Sequence, residues 1–240
     1  MALPKLVTPE FETEIPSTKE PIKFRPFLVK EEKVLYMALE SGEEKDIFNG
    51  VMTILESCIL TDGIDKSKLT SYDLEYLFLQ LRAKSVGEKI DITLSHVNEA
   101  NKIKCQESTK VSVNIDDIKI KFDEKHEYKL DIGNNIGIKM RDPQTTMMFG
   151  LQNKDSSEID QLLDLICECV ELVYDDDNVY EDFTKKELKE FLENLTKDNF
   201  EKLAEFFNTL PKLSHDIEFT CPACGETEIV KIEGMQSFFT

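Results

Sequence analysis

The spacing of apolar residues predicts helical and strand-rich stretches that alternate along this chain. Residues 1–23 are Pro-rich and charged and show no periodicity, which predicts an extended arm, either disordered or laid against a partner. Residues 24–87 carry apolar side chains at the three- and four-residue spacing of amphipathic helices. Residues 88–155 instead contain short alternating segments, such as KIDITLSHV and KVSVNI, separated by Asn, Asp and Gly. This second pattern is typical of an antiparallel β meander.

Helical spacing returns over residues 156–212, where Thr184 and Glu187 have the spacing of a helix capping box. Residues 213–240 are expected to form a β-hairpin with a Cys-x-x-Cys pair and an aromatic C-terminus. Since the helices and strands are grouped rather than alternating one by one, the sequence predicts an α+β fold. We expect residues 24–240 to form one compact unit.

The charge of the chain argues against nucleic acid as a partner. The sequence has 48 Asp and Glu residues against 29 Lys and Arg residues, a net charge of −19. Such a chain repels the phosphate backbone. No apolar run approaches the roughly 18–20 residues of a membrane span, and the N-terminus lacks the apolar core of a signal peptide. We therefore expect a cytoplasmic protein that binds neither nucleic acid nor a membrane.

The stretch FTCPACGE contains the strongest candidate for chemistry. Cys221 and Cys224 have the spacing of a metal-binding knuckle, but structural zinc normally takes four ligands. Residues 103–115 echo residues 219–232 and place Cys105 at the position of Cys221, which predicts a second strand–turn–strand unit and a third thiolate. The conceivable fourth ligands are His96, His126 and His215. In the alternative interpretation each histidine lies at the surface.

Three interpretations of the cysteine pair stay open: a zinc site, a redox dithiol and a structural turn. A redox dithiol needs a thiol whose pKa is lowered at a helix N-terminus, whereas the run after Gly225 is strand-like. In the structural interpretation, Pro222 and Gly225 form a tight turn and the thiols only pack. The other cysteines, Cys58, Cys167 and Cys169, lie in apolar helical patterns and are expected to be buried and inert.

No catalytic motif accompanies these cysteines. The sequence has no P-loop, dinucleotide fingerprint, nucleophile elbow or zinc-protease motif, so we expect neither an enzyme nor, apart from the possible zinc, a cofactor. Aromatic residues near both ends could instead bind a partner by groove insertion or strand addition. These candidate anchors are Phe24, Phe27, Phe238 and Phe239. The alternative is that they pack in the core of their own chain.

Several stretches resemble a known family. FRPFLVKEEKVLYMALES resembles the opening of the baseplate hub assembly proteins of T-even-like contractile-tailed bacteriophages. FLENLTKDNFEKLAEFFNTLPKL, IEFTCPACGE and IEGMQSFF are similar to the C-terminal run of that family. The resemblance implies a non-enzymatic protein that assists the assembly of the central hub, or forms part of it, by binding other phage hub proteins. It also implies a location in the host cytoplasm during assembly, and in the tail baseplate if the protein stays in the virion.

The resemblance does not decide whether zinc is bound. Family members often carry cysteines in both strand–turn–strand units, whereas Ser108 takes the second cysteine position of the first unit here. The competing hypotheses are a zinc-ribbon-type interaction adaptor, which would hold stoichiometric zinc, and a thiol oxidoreductase, which would need an exposed Cys221 thiolate of low pKa.

Overall fold

The computed structural model describes residues 7–98, 103–150 and 157–234, and these residues form seven α-helices and eleven β-strands. In the first half of the chain the elements are β1 (Phe11–Glu14), β2 (Pro21–Phe24), α1 (Val29–Ser41), α2 (Glu44–Cys58), α3 (Ser71–Ser85), β3 (Lys89–Asn98), β4 (Ile103–Asn114) and β5 (Lys119–Lys121). In the second half they are β6 (Lys129–Asp131), β7 (Gly137–Met140), α4 (Thr145–Gly150), α5 (Glu158–Cys169), β8 (Val170–Tyr174), β9 (Val179–Tyr180), α6 (Lys185–Glu193), α7 (Lys197–Asn208), β10 (Lys212–Thr220) and β11 (Thr227–Glu233).

The α+β prediction is confirmed, since the strand pairs are antiparallel and the helices form separate groups. By its contacts the chain divides into two compact units. Unit 1 comprises Met1–Ile64, Tyr72–Lys121 and Lys212–Thr240, and unit 2 comprises Asp65–Ser71 and Phe122–Pro211. None of the helices in the described ranges is long and apolar enough to cross a bilayer.

Unit 1 begins with a hairpin of β1 and β2 rather than with the extended arm that the composition predicted. Ile15 and Ile22, at the two sides of the turn, are each 2% exposed. Ser17 in the turn donates hydrogen bonds from its backbone nitrogen and from its hydroxyl to the carboxylate of Asp73, at 2.8 and 2.6 Å. The short segment therefore orders because two isoleucines are buried and one carboxylate holds the turn.

Helices α1 and α2 pack closely against each other in unit 1. A Cβ added at Gly50 of α2 would lie 3.0 Å from the Cβ of Ala38 in α1, so the two backbones approach where the side chains are smallest. Helix α1 begins at a carboxylate cap, because Glu31 accepts a hydrogen bond from the backbone nitrogen of Leu28 at 2.8 Å. The same side chain forms an ion pair with Arg25 at 3.0 Å.

One cluster of buried core residues in unit 1 lies between two small sheets and α3. Strands β3 and β4 form one sheet, and β5, β10 and β11 form the other, with β10 in the middle. The two sheets and α3 contribute buried residues to one cluster, which includes Leu79, Ala83, Ile90, Ile92, Leu94, Val113, Leu213, Ile217, Phe219 and Ile232. The cluster also contains Cys221, which is 1% exposed.

Unit 2 contains a four-stranded sheet in the order β6–β7–β8–β9. Helices α5, α6 and α7 contribute to its core, with buried residues that include Ile138, Met140, Ile166, Leu188, Leu192, Leu203 and Phe206. The predicted capping box is present at the start of α6, where Thr184 and Glu187 each cap the backbone of the other. In β7, the ring of Tyr174 occupies the space that a Cβ at Gly137 would need.

The strands predicted over residues 88–155 do not share a single meander. Strands β3 and β4 form their own sheet, β5 pairs with the distant β10, and β6 and β7 join β8 and β9. Alternation shows which face of a strand is apolar, but it does not encode the partner of that strand. The division into sheets therefore could not be read from the pattern.

Candidate metal centre and interaction groove

Strand β3 places a histidine on its buried face. Ile90, Ile92 and Leu94 occupy alternate positions and are buried, and His96 continues this face at 4% exposure. Alternate residues of a strand point to one side of the sheet, so the two-residue period brings an imidazole to the edge of the core of unit 1. The alternative interpretation that each histidine lies at the surface is therefore wrong for His96.

Residues 221–226 form the tight hairpin loop between β10 and β11. The backbone nitrogen of Gly225 donates to the carbonyl oxygen of Cys221 at 2.8 Å, and the nitrogen of Cys221 donates to the carbonyl oxygen of Glu226 at 2.8 Å. Gly225 has a φ of +75°, which residues with a side chain rarely adopt. The loop keeps Cys221 buried and leaves Cys224 exposed.

The histidine and the two cysteines meet at one point. The possible ligand atoms of His96, Cys221 and Cys224 all lie within 4.8 Å of one another, and Sγ of Cys224 lies 3.3 Å from Nδ1 of His96. A tetrahedral zinc ion with sulfur and nitrogen ligands holds its ligand atoms about 3.6–3.8 Å apart. The three side chains thus need only small shifts to coordinate one ion.

Two carboxylates lie beside the other ring nitrogen of His96. Its Nε2 is 3.4 Å from Oε2 of Glu226 and 3.8 Å from Oε2 of Glu228. A carboxylate next to the non-coordinating nitrogen of a metal-binding histidine orients the ring and makes the coordinating nitrogen more basic. This arrangement favours the tautomer in which Nδ1 presents its lone pair to the two sulfur atoms.

Strand β4 brings the backbone of Cys105 opposite His96. Ser95 pairs with Ser108 and Val97 pairs with Lys104, so residues 105–107 form a bulge across from position 96. The side chain of Cys105 lies outside the described part of the chain. The predicted strand–turn–strand unit at 103–115 is wrong, because β4 runs as one bulged strand through this stretch.

The other two histidines lie away from this cluster. His126 belongs to unit 2, where its Nδ1 is 2.9 Å from the hydroxyl of Thr209 and its ring packs at 4.7 Å from the ring of Phe206. His215 lies on β10 and is not among the grouped ligand atoms of the described residues. Of the three conceivable histidine ligands, the structure brings His96 alone to the two cysteines within the described ranges.

An open groove between α1 and α3 is a second candidate site in unit 1. It is lined by Phe27, Glu32, Leu35, Tyr36, Leu39, Phe78, Arg82 and Val86. Tyr36 and Val86 are 61% and 62% exposed. Nη1 of Arg82 is buried and has no hydrogen-bond partner among the described residues, and burial lowers the pKa of this guanidinium. The groove therefore combines exposed apolar surface with a desolvated positive charge.

A family model described as "T4 bacteriophage base plate protein" matches residues 8–240. The chain belongs to this family. No curated protein and no solved structure matches it. The membership confirms the resemblance at the level of a T4-like phage baseplate protein and makes the tail baseplate the place of its function.

In this base plate protein the N-terminal aromatic residues are buried. Phe24 and Phe27 are 3% and 8% exposed, which favours the alternative that they pack in the core of their own chain. Phe24 is in the interior because β2 turns it toward Phe11, with ring centroids 5.8 Å apart, and Phe27 lies at the floor of the groove. The other two proposed anchors, Phe238 and Phe239, lie outside the described residues.

Cys58, Cys167 and Cys169 are buried in the base plate protein, as expected. Burial raises the pKa of Cys58 to about 11 and that of Cys169 to about 12, and it also raises the pKa of Cys167. Thiols with raised pKa values are poor nucleophiles and poor metal ligands at neutral pH. Of the five cysteines whose side chains the structure describes, Cys221 and Cys224 are the two that lie beside a possible further ligand, His96.

Proposed function

We propose that this base plate protein is a non-enzymatic protein of the central baseplate hub, which forms part of the hub or assists its assembly by binding other hub proteins in the host cytoplasm. The observation that carries this proposal is the family match over residues 8–240. The resemblance of residues 24–41 and of the C-terminal stretches to hub assembly proteins supports the finer assignment to the hub.

The groove between α1 and α3 is the surface that we assign to a hub partner. Its occupant would be a segment of another hub protein that carries an apolar side chain next to a carboxylate. The apolar side chain would cover Tyr36 and Val86, and the carboxylate would pair with Arg82. Charge complementarity supports this choice, because Nη1 of Arg82 is buried without a hydrogen-bond partner among the described residues and a carboxylate would supply one.

The test is native mass spectrometry of the purified chain mixed with the hub proteins of the same phage. We expect a defined complex with at least one of them. The variant Tyr36→Ala should weaken this complex at least tenfold. Met37→Ala is the matched control, because Met37 is the next residue of α1, is 69% exposed and does not line the groove.

The possible outcomes test the hub function and the binding surface independently. If the unmodified chain binds none of the hub proteins, the proposed function is wrong. If it binds but Tyr36→Ala and Met37→Ala behave alike, the function stands and the groove is not the binding surface. Detection of the chain in purified tails would favour a permanent component. Detection only in hub assembly intermediates would favour an assembly factor.

A further inference from the structure

We propose that unit 1 binds one zinc ion through His96, Cys221 and Cys224. This inference goes beyond the proposed hub function and does not depend on it. It rests on the convergence of the histidine and the cysteine knuckle described above.

The donor set matches the chemistry of zinc. Thiolate and imidazole are the ligands of structural zinc sites, and a Cys₃His set is one of the common combinations. Hard cations such as Mg²⁺ and Ca²⁺ require oxygen ligands and would not select two sulfur atoms and a nitrogen. On binding, each coordinating thiol releases its proton to solvent and the histidine binds as the neutral imidazole.

The surroundings of His96 match those of a metal ligand. Glu226 and Glu228 lie next to Nε2, and the same Oε2 of Glu226 is also 3.8 Å from Sγ of Cys224. A metal ion at Nδ1 and carboxylates at Nε2 satisfy both ring nitrogens.

Three protein ligands leave one of the four positions of a tetrahedral zinc ion for a further ligand. The backbone of residues 105–107 lies opposite His96 in the register of β3 and β4, so the variant Cys105→Ser tests whether a thiolate or a water takes that position. The ion would then join the β3–β4 sheet to the β10–β11 hairpin at the edge of a shared core.

The experiment uses the full chain, purified under reducing conditions without chelator. We expect one zinc ion per chain by native mass spectrometry and metal analysis, either as isolated or after addition of zinc to the reduced protein. Replacement by Co²⁺ should give the absorption bands of tetrahedral thiolate coordination. Chelation should lower the unfolding temperature of the chain.

Variants test each ligand separately. Cys224→Ser and His96→Ala should abolish stoichiometric binding, and Cys224→Ser is the safer variant because Cys224 is exposed. Glu226→Gln should weaken binding by about 10–100-fold. His215→Ala is the matched control and should bind zinc like the unmodified chain.

Three results would overturn the proposal. Failure of the reduced, folded chain to bind zinc or Co²⁺ would exclude the site, and so would full binding by Cys224→Ser. Unchanged affinity in Cys105→Ser would give a three-ligand site with water in the fourth position, and a large loss of affinity would identify Cys105 as the fourth ligand. A stable disulfide between Cys221 and Cys224 in the purified chain would also exclude the site, because it would use up both thiols.

Discussion

The variant Phe24→Ala distinguishes the two roles that the sequence left open for Phe24, a residue of the core and an anchor for a partner. The side chain is 3% exposed and faces Phe11 across the N-terminal hairpin. Removal of a buried phenylalanine side chain costs about 3–5 kcal/mol, which includes the lost contact with the neighbouring ring. Natural domains have unfolding free energies of about 5–15 kcal/mol, so Phe24→Ala should remove a large part of the stability of unit 1.

The assay is equilibrium unfolding of the full chain in urea, followed by circular dichroism, with Phe24→Ala compared with the unmodified protein. The matched control is Tyr36→Ala, an aromatic truncation in the same unit at a residue that is 61% exposed, which should change the unfolding free energy by less than about 0.5 kcal/mol. The burial argument would be refuted if Phe24→Ala kept wild-type stability and lost only the binding of hub proteins. The ring would then act on a partner and not on the interior.

Three further predictions concern single contacts, each measured by urea unfolding. Burial alone would raise the pKa of Glu31, but its hydrogen bonds, among them one from Arg25, lower this pKa overall. The ionised Glu31 therefore stabilises the fold above the unfolded-state pKa, and this stabilisation is lost as the pH falls through the folded-state pKa. Glu31→Gln should therefore lower the free energy of unfolding by about 1.5–3 kcal/mol at neutral pH, and this free energy should then fall less steeply as the pH is lowered. An equally steep fall in the variant would contradict the predicted direction of the pKa shift. Gly137→Ala should lower the free energy of unfolding by about 1–3 kcal/mol, because the added Cβ clashes with the ring of Tyr174. If the same loss is measured when Gly137→Ala is combined with Tyr174→Ala, the clash is not its cause. Thr184→Ala should cost about 1 kcal/mol by removing a helix cap, whereas Thr184→Ser should not, and equal losses would exclude the capping role.

Local signals in the sequence predicted much of the fold. Apolar spacing identified the regions that contain α1, α2 and α5, and the capping box marked the start of α6. The cysteine spacing and Gly225 together indicated the last hairpin. These features depend on residues that are close in sequence, where propensity and period suffice.

Features that depend on residues distant in sequence were not predicted from the local pattern. The N-terminal hairpin is ordered by the burial of Ile15 and Ile22 and by Asp73 of α3, which a local window of the arm cannot show. His96 was one of three candidates, and its position was encoded in the alternation of KIDITLSH along β3. Counting that period through the histidine would have placed its ring on the buried face of the strand.

The position of β10 late in the chain determines which unit can fold first during synthesis. This strand forms the middle of its sheet, and its first residue, Lys212, is the register partner of Lys121. All of unit 2 is synthesised before Lys212, so that unit can complete its contacts while unit 1 still lacks its central strand. A nonsense codon at position 212 would thus leave all of unit 2 in place while removing the middle strand of this sheet and the cysteine pair from unit 1.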